Sequence, residues 1–177
     1  MTLEWARRHP GRAAALVIED APMRRGGPSV EELFDGWITL SNMSFDEARS
    51  HYSVQDPTWT DDDLDRRART ITSVAPGVFL DLKRDMLSQR GESVIATYAG
   101  IETPTLLIYG DVDAGGAVPE FDAAAFAKTL PDVEVARIPG GSHSLHRDSS
   151  DEFLAIVEPF LWRYAARATC LEGAACD

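Results

Sequence analysis

Two short apolar runs, Ala13 to Ile18 and Thr105 to Tyr109, and a third strand-like stretch, Val133 to Ile138, each lead straight into a loop that offers an acid or a histidine. Runs of four to six apolar residues between Gly, Pro and charged punctuation read as strands covered on both faces, as in a parallel sheet flanked by helices. Helical patterns separate them. LEWARRHP reads as a helix end stopped at Pro10-Gly11, because the residue before a proline is pushed out of the helical region. PEFDAAAFAKTL reads as a helix with Pro119 in its first turn, where a missing N–H costs nothing. Ser149-Ser-Asp-Glu152 caps a last helix whose Phe153, Ile156, Val157, Phe160, Leu161 and Tyr164 share one face, with Pro159 set to kink or loosen it. Strands alternating with helices predict an α/β chain built on a parallel sheet.

The stretch from about 23 to 100 breaks that alternation. Ser29-Val-Glu-Glu32, Ser44-Phe-Asp-Glu47 and Thr60-Asp-Asp-Asp63 each place a hydroxyl ahead of an apolar stretch with an acid three residues on. The hydroxyl accepts from a free backbone N–H, and the acid complements the positive end of the helix. This stretch therefore predicts three or more short helices inserted between two strands. Asp61, Asp62 and Asp63 read as a solvated first turn rather than a cation site.

Composition narrows the class. With 44% hydrophobic and 26% charged residues the chain is neither collagen-like nor wholly disordered, and no apolar run approaches the ~20 residues of a membrane-spanning helix. Seventeen Lys and Arg against 29 Asp and Glu give a net charge of −12, which repels phosphate backbones and anionic lipid. The expectation is no nucleic-acid partner and no membrane partner; the arginine pairs Arg7-Arg8 and Arg24-Arg25 read as solvated surface. The opening residues MTLEWARRHPGR lack a secretory pattern, so the cytoplasm is the expected compartment. Cys170 and Cys176 show no metal-ligand spacing, and no metal or cofactor is expected.

In an open parallel sheet, reactive groups gather beyond the carboxyl ends of the strands. EDAP after the first strand offers Asp20; GDVDAGG after the second offers Asp111 and Asp113; PGGSHSLHRD after the third offers His143 and His146. A carboxylate and an imidazole on neighbouring strand ends make two parts of a nucleophilic triad, the acid orienting the ring and the ring acting as base.

With these loops in place, the chain resembles an α/β-hydrolase. PTLLIYGDVD and IPGGSHSLHRD resemble the last two strands of that fold with their acid and histidine loops, and RHPGRAAALVIEDAP resembles the sixth strand with the helix end before it. The resemblance implies a partial α/β-hydrolase: a core from residues 1–28 and 96–167, a helical cap over 29–95 and a flexible tail over 168–177. It implies His143 as general base and Asp113 as its acid, with Asp20 and Asp111 as alternative acids and His146 as a structural partner in the loop. Ser142 stands where the family carries a small glycine. Trp37, Met43, Trp59, Phe79 and Met86 in the cap become candidates to line a pocket for a small apolar substrate.

The family's nucleophile sits in a G-x-S-x-G elbow, and no such string occurs in this sequence. The resemblance implies that the elbow and five strands would lie upstream of Met1, so the chain reads as a truncated hydrolase that exposes one side of its sixth strand and self-associates there. Two functions follow as expectations. One is hydrolysis of an ester or related bond by a nucleophile–His–acid triad whose Ser, Asp or Cys nucleophile lies outside this chain. The other is a non-catalytic module that binds a ligand or a partner.

Overall fold

The computed structural model describes residues 2–27, 30–57 and 59–171. Ser29, Cys176 and the side chain of Cys170 lie outside the described residues. In chain order the elements are α1 (Thr2–Arg8), β1 (Leu16–Glu19), α2 (Val30–Ser41), α3 (Phe45–Gln55), α4 (Asp61–Thr72), α5 (Pro76–Ser88), β2 (Thr105–Tyr109), α6 (Glu120–Thr129), β3 (Val133–Arg137), α7 (Leu145–Asp148) and α8 (Ser150–Leu171). Two compact units contain them, one from residues 1–24 and 93–177, the other from 25–92.

The first unit carries a parallel sheet in the order β1-β2-β3. Leu16 of β1 aligns with Thr105 of β2, and Thr105 aligns with Val133 of β3, so all three strands finish at one end. Side chains along β2 alternate between two faces. Leu107 and Tyr109 join Leu3 and Ala6 of α1 and Ala123 and Phe126 of α6 in one core. Leu106 and Ile108 join Leu145 of α7 and Val157 and Phe160 of α8 in the other. Phe126 and Phe160 are fully enclosed, each contributing about 2–3 kcal/mol by leaving water.

The strands differ in cover. β2 is buried at every residue, β1 alternates buried with half-buried, and β3 is half-buried to exposed. The apolar run predicts the first strand over Ala13 to Ile18, covered on both faces. It begins instead at Leu16, since alanine is a poor strand former, and among the described residues it pairs on the β2 side alone. The last helix also departs from expectation. It runs through Pro159 to Leu171, into the stretch expected to be a tail, because Ala165, Ala166 and Ala168 favour helix. Pro119 sits one residue earlier than expected, as the N-cap of α6.

The second unit is helical, around Leu40, Ala48, Tyr52, Leu64, Ala68 and Ile71. Its caps follow the sequence signals. Ser44 accepts from the amide of Glu47 while the Glu47 carboxylate accepts from the amide of Ser44, a closed capping box at α3. The Ser44 hydroxyl and amide hold the Glu47 carboxyl below its usual range. Replacing Ser44 with alanine is expected to destabilise this unit by about 1 kcal/mol, measured by urea unfolding followed through its tryptophans. The Thr60 hydroxyl caps α4 by accepting from the amide of Asp63, and Asp61 and Asp62 pair with Arg49 and Arg66. Among the described residues no group of acids, histidines or cysteines is arranged to hold a metal. No helix there is long and apolar enough to cross a membrane.

Candidate active site

The three loops at the carboxyl end of the sheet are tied together by one buried side chain. Asp20 follows directly on β1; its amide donates to the carbonyl of Ile108 at 2.8 Å, and its own φ is +37°. That left-handed turn is unusual outside glycine but is tolerated by aspartate. It ends the strand with the carboxylate fully enclosed. There Oδ1 accepts from the amide of Gly110 at 3.3 Å and Oδ2 from the amide of Ala117 at 2.6 Å. Oδ2 also lies 2.8 Å from Nδ1 of His143. An ionised carboxylate offers about four acceptor positions, so three donors are accommodated without conflict.

The charged partner sets the tautomer of the ring. Nδ1 of His143 donates to the Asp20 carboxylate, and the neutral ring then keeps a lone pair on Nε2. The side chain of His143 is 58% exposed while that of Asp20 is 0% exposed. A sheltered acid therefore holds an accessible base.

The structure places another carboxylate beside the ring. The family resemblance implies Asp113 as the partner of His143, but Asp113 lies in a 3-10 turn over Val112–Ala114 and is exposed. That turn is closed by amides of Ala114 and Gly116 on the carbonyl of Asp111, and the carboxylate bonded to His143 is that of Asp20. Asp111, the other alternative, is occupied elsewhere: it accepts from Nε of Arg137 and from the amide of Gly140 at 2.9 Å. The Arg137 guanidinium, then the Gly140 amide, hold its carboxyl below the usual aspartate range. It braces the loop after β3 rather than the ring.

The loop that carries His143 is fixed at several points. Gly141 donates to the carbonyl of Ile138 and accepts from the amide of Asp111. Ser142 bonds the carboxylate of Asp148 and accepts from the amide of Ser144, so the serine found where the family has glycine stitches the loop to α7. Leu145 is enclosed in the core. His146, expected as a structural partner, bonds Glu19.

The pocket candidates have another use. Trp37, Met43, Trp59 and Phe79 pack against the interior of the helical unit, and Met86 is half-buried on α5. Their sequence pattern records helix packing, with Trp37 in ring contact with Phe34 and Phe79. Sequence reasoning also missed an ion pair to a buried acid. Arg24, read as solvated surface, donates to both oxygens of the buried Asp122 at 3.0 Å and stacks over Phe121. No local pattern announces it, since the two residues are 98 positions apart.

No protein-family model and no curated protein sequence matches this chain. Solved structures do. An α/β-hydrolase enzyme from a Medee basin deep-sea metagenome library superposes with a TM-score of 0.60 at 19% identity, over 91% of this chain and 60% of that one. An N-formylmaleamic acid deformylase from Pseudomonas putida gives 0.66 at 18%, over 88% and 61%. A thermophilic esterase from Thermogutta terrifontis gives 0.56 at 16%, over 92% and 61%. The chain has a partial α/β-hydrolase fold. It spans about three-fifths of the length of these α/β-hydrolase structures. At this level of identity the likeness concerns the fold alone, and the chemistry rests on the residues.

Proposed function

We propose that this chain supplies the base and the acid of a hydrolytic acyl-transfer site. The nucleophile is contributed from outside these 177 residues. In this reading the nucleophile's proton passes to Nε2 of His143 as its oxygen or sulfur attacks the carbonyl carbon of a small ester or related substrate. The leaving group then takes that proton as its bond to carbon breaks. Asp20 keeps the proton on Nδ1 and stabilises the ring while it is charged. The observation that carries the reading is the 2.8 Å contact between a buried carboxylate after β1 and an exposed imidazole after β3, at the same end of the sheet. The lack of a G-x-S-x-G string in the sequence and the greater length of the solved neighbours support an external nucleophile. The cytoplasm remains the proposed compartment.

The purified chain is expected to hydrolyse short acyl p-nitrophenyl esters no faster than buffer. A polypeptide extended on its N-terminal side through a G-x-S-x-G segment is expected to turn them over, and His143→Ala in it to abolish turnover. Turnover by the unextended chain that disappears on His143→Ala would refute the external nucleophile. A folded, extended protein inert on a broad ester panel would refute the hydrolase reading.

A second reading, a non-catalytic binding module, draws on β1, whose outer edge is unpaired among the described residues. Bare backbone donors and acceptors invite strand addition. That reading expects light scattering to show concentration-dependent self-association of the purified chain, with no turnover in the extended protein.

A further inference from the structure

The end of β1 holds two histidines, not one. Glu19 and Asp20 are consecutive, and they bind His146 of α7 and His143 of the loop that leads into it. Oε1 of Glu19 accepts from the backbone amide of His146 at 2.9 Å and from its Nδ1 at 2.8 Å, with Oε2 at 3.0 Å from the same Nδ1. The amide is one of the free donors at the start of α7, so the contact fixes backbone as well as ring. The far side of the His146 ring meets Phe153 of α8 edge-on at 6.4 Å. The Glu19 side chain is 24% exposed, far less than a free surface glutamate.

We propose that Glu19 is a positioning residue, a latch that acts through His146 to hold the His143 ring against Asp20. The geometry supplies the reason. Upstream of His143, Gly141 is tied to Ile138 and Asp111. Downstream, beside the enclosed Leu145 and the Ser142–Asp148 bond, the Glu19–His146 contact adds a hydrogen-bonded attachment to β1, one residue from Asp20 along the strand. A half-exposed ring bonded through one nitrogen keeps its register only if the backbone on both sides is fixed relative to the acid. Glu19 adds to that fixing on the second side the bonds made to the acid's own strand, a charge-assisted pair stronger than neutral ones.

This inference rests on the Asp20–His143 pair of the proposed function. It is testable on the full chain without turnover. The readout is the ratio of Nδ1–H to Nε2–H tautomers of the neutral His143 ring, measured by 15N NMR of histidine-labelled protein. Losing two charge-assisted bonds is worth a tenfold or greater change in local opening. Glu19→Ala is therefore expected to lower the tautomer ratio by at least about fivefold. Glu19→Gln keeps an acceptor for the His146 amide and is expected to stay within about twofold. His146→Ala removes the ring contact alone and is expected to fall between them.

A folded Glu19→Ala chain with an unchanged ratio overturns the latch. If Glu19→Ala does not fold, His146→Ala decides, and an unchanged ratio there overturns it equally. Asp20→Asn separates the two readings. A ratio that collapses in Asp20→Asn but not in Glu19→Ala removes the latch and leaves the pair. A ratio unmoved by Asp20→Asn removes the pair and the latch with it.

Discussion

Asp20→Asn is expected to cost a nucleophile-completed form of this protein about 10³–10⁴-fold in kcat, while Asp113→Asn changes it by less than about threefold. The contrast follows from what each carboxylate touches. Asp20 is enclosed, accepts two backbone amides and bonds Nδ1 of His143. An amide there offers one acceptor and places a donor where donors already converge, so the ring loses its reason to keep the proton on Nδ1. Nε2 then carries the proton and ceases to be a base. Asparagine tolerates the left-handed backbone at φ +37° about as well as aspartate, so the variant isolates the side-chain chemistry from the turn.

Asp20→Ala goes further. It strands the amides of Gly110 and Ala117, at about 1–3 kcal/mol for each unsatisfied donor, and puts alanine at a positive φ. A total loss of about 2–5 kcal/mol is expected in urea unfolding. Asp113 sits exposed on its short turn, and its replacement should stay within about 0.5 kcal/mol of the parent. The experiment measures kcat of the two asparagine variants side by side in the extended protein, with unfolding curves for all three. Equal and large losses for Asp113→Asn and Asp20→Asn would show that the acid has been misassigned.

Why the sequence favoured the other acid is a matter of range. The three strand runs, the capping serine and threonine and the apolar face of α8 are local patterns, each set within a dozen residues, and they reappear as β1 to β3, α3, α4 and α8. The histidine loop was readable for the same reason. Which acid meets the ring depends on a single φ at Asp20, on a 3-10 turn that leaves Asp113 exposed and on amides 90 and 97 residues away. Spacing carries none of that information. Adjacent acids at a strand end, Glu19 and Asp20, were the available signal, since successive residues there point to opposite sides. One of the pair can turn inward while its neighbour stays at the surface, and these two do so.

The same logic limits what apolar residues in the helical unit reveal. Trp37, Met43, Trp59 and Phe79 have the composition of a pocket lining and the contacts of a core. Large side chains on short helices must be buried somewhere, and a helical unit with few large buried residues of its own uses them for packing. Composition alone does not separate the two uses. Contacts do.

Backbone proximity at the site yields the second large effect, at Gly110. A Cβ built there would lie 2.2 Å from the carbonyl oxygen of Gly141, 2.6 Å from that of Ser142 and 2.7 Å from the carbonyl carbon of Gly141. All three are backbone atoms of the histidine loop, which cannot swing aside like a side chain. Relief requires the loop to move by about an ångström, and the bonds in its way are the ones that define the site. The Asp111 amide bonds the Gly141 carbonyl at 2.8 Å, and the Gly110 amide bonds Asp20. Gly110→Ala is therefore expected to destabilise the sheet unit by about 3 kcal/mol, the upper end for overpacking, read from hydrogen exchange of the β2 amides. It should also reduce the Nδ1–H tautomer of His143, although it touches neither Asp20 nor the ring. Gly36 supplies the control. It lies inside α2, and a methyl group added to it would meet no neighbouring atom within 4 Å. Alanine there should stabilise its helix by about 0.5–1 kcal/mol. Equal, small effects at the two glycines would mean that the loops beyond β2 and β3 are not held in contact, and a base and an acid on separate strands would then have nothing to keep them together.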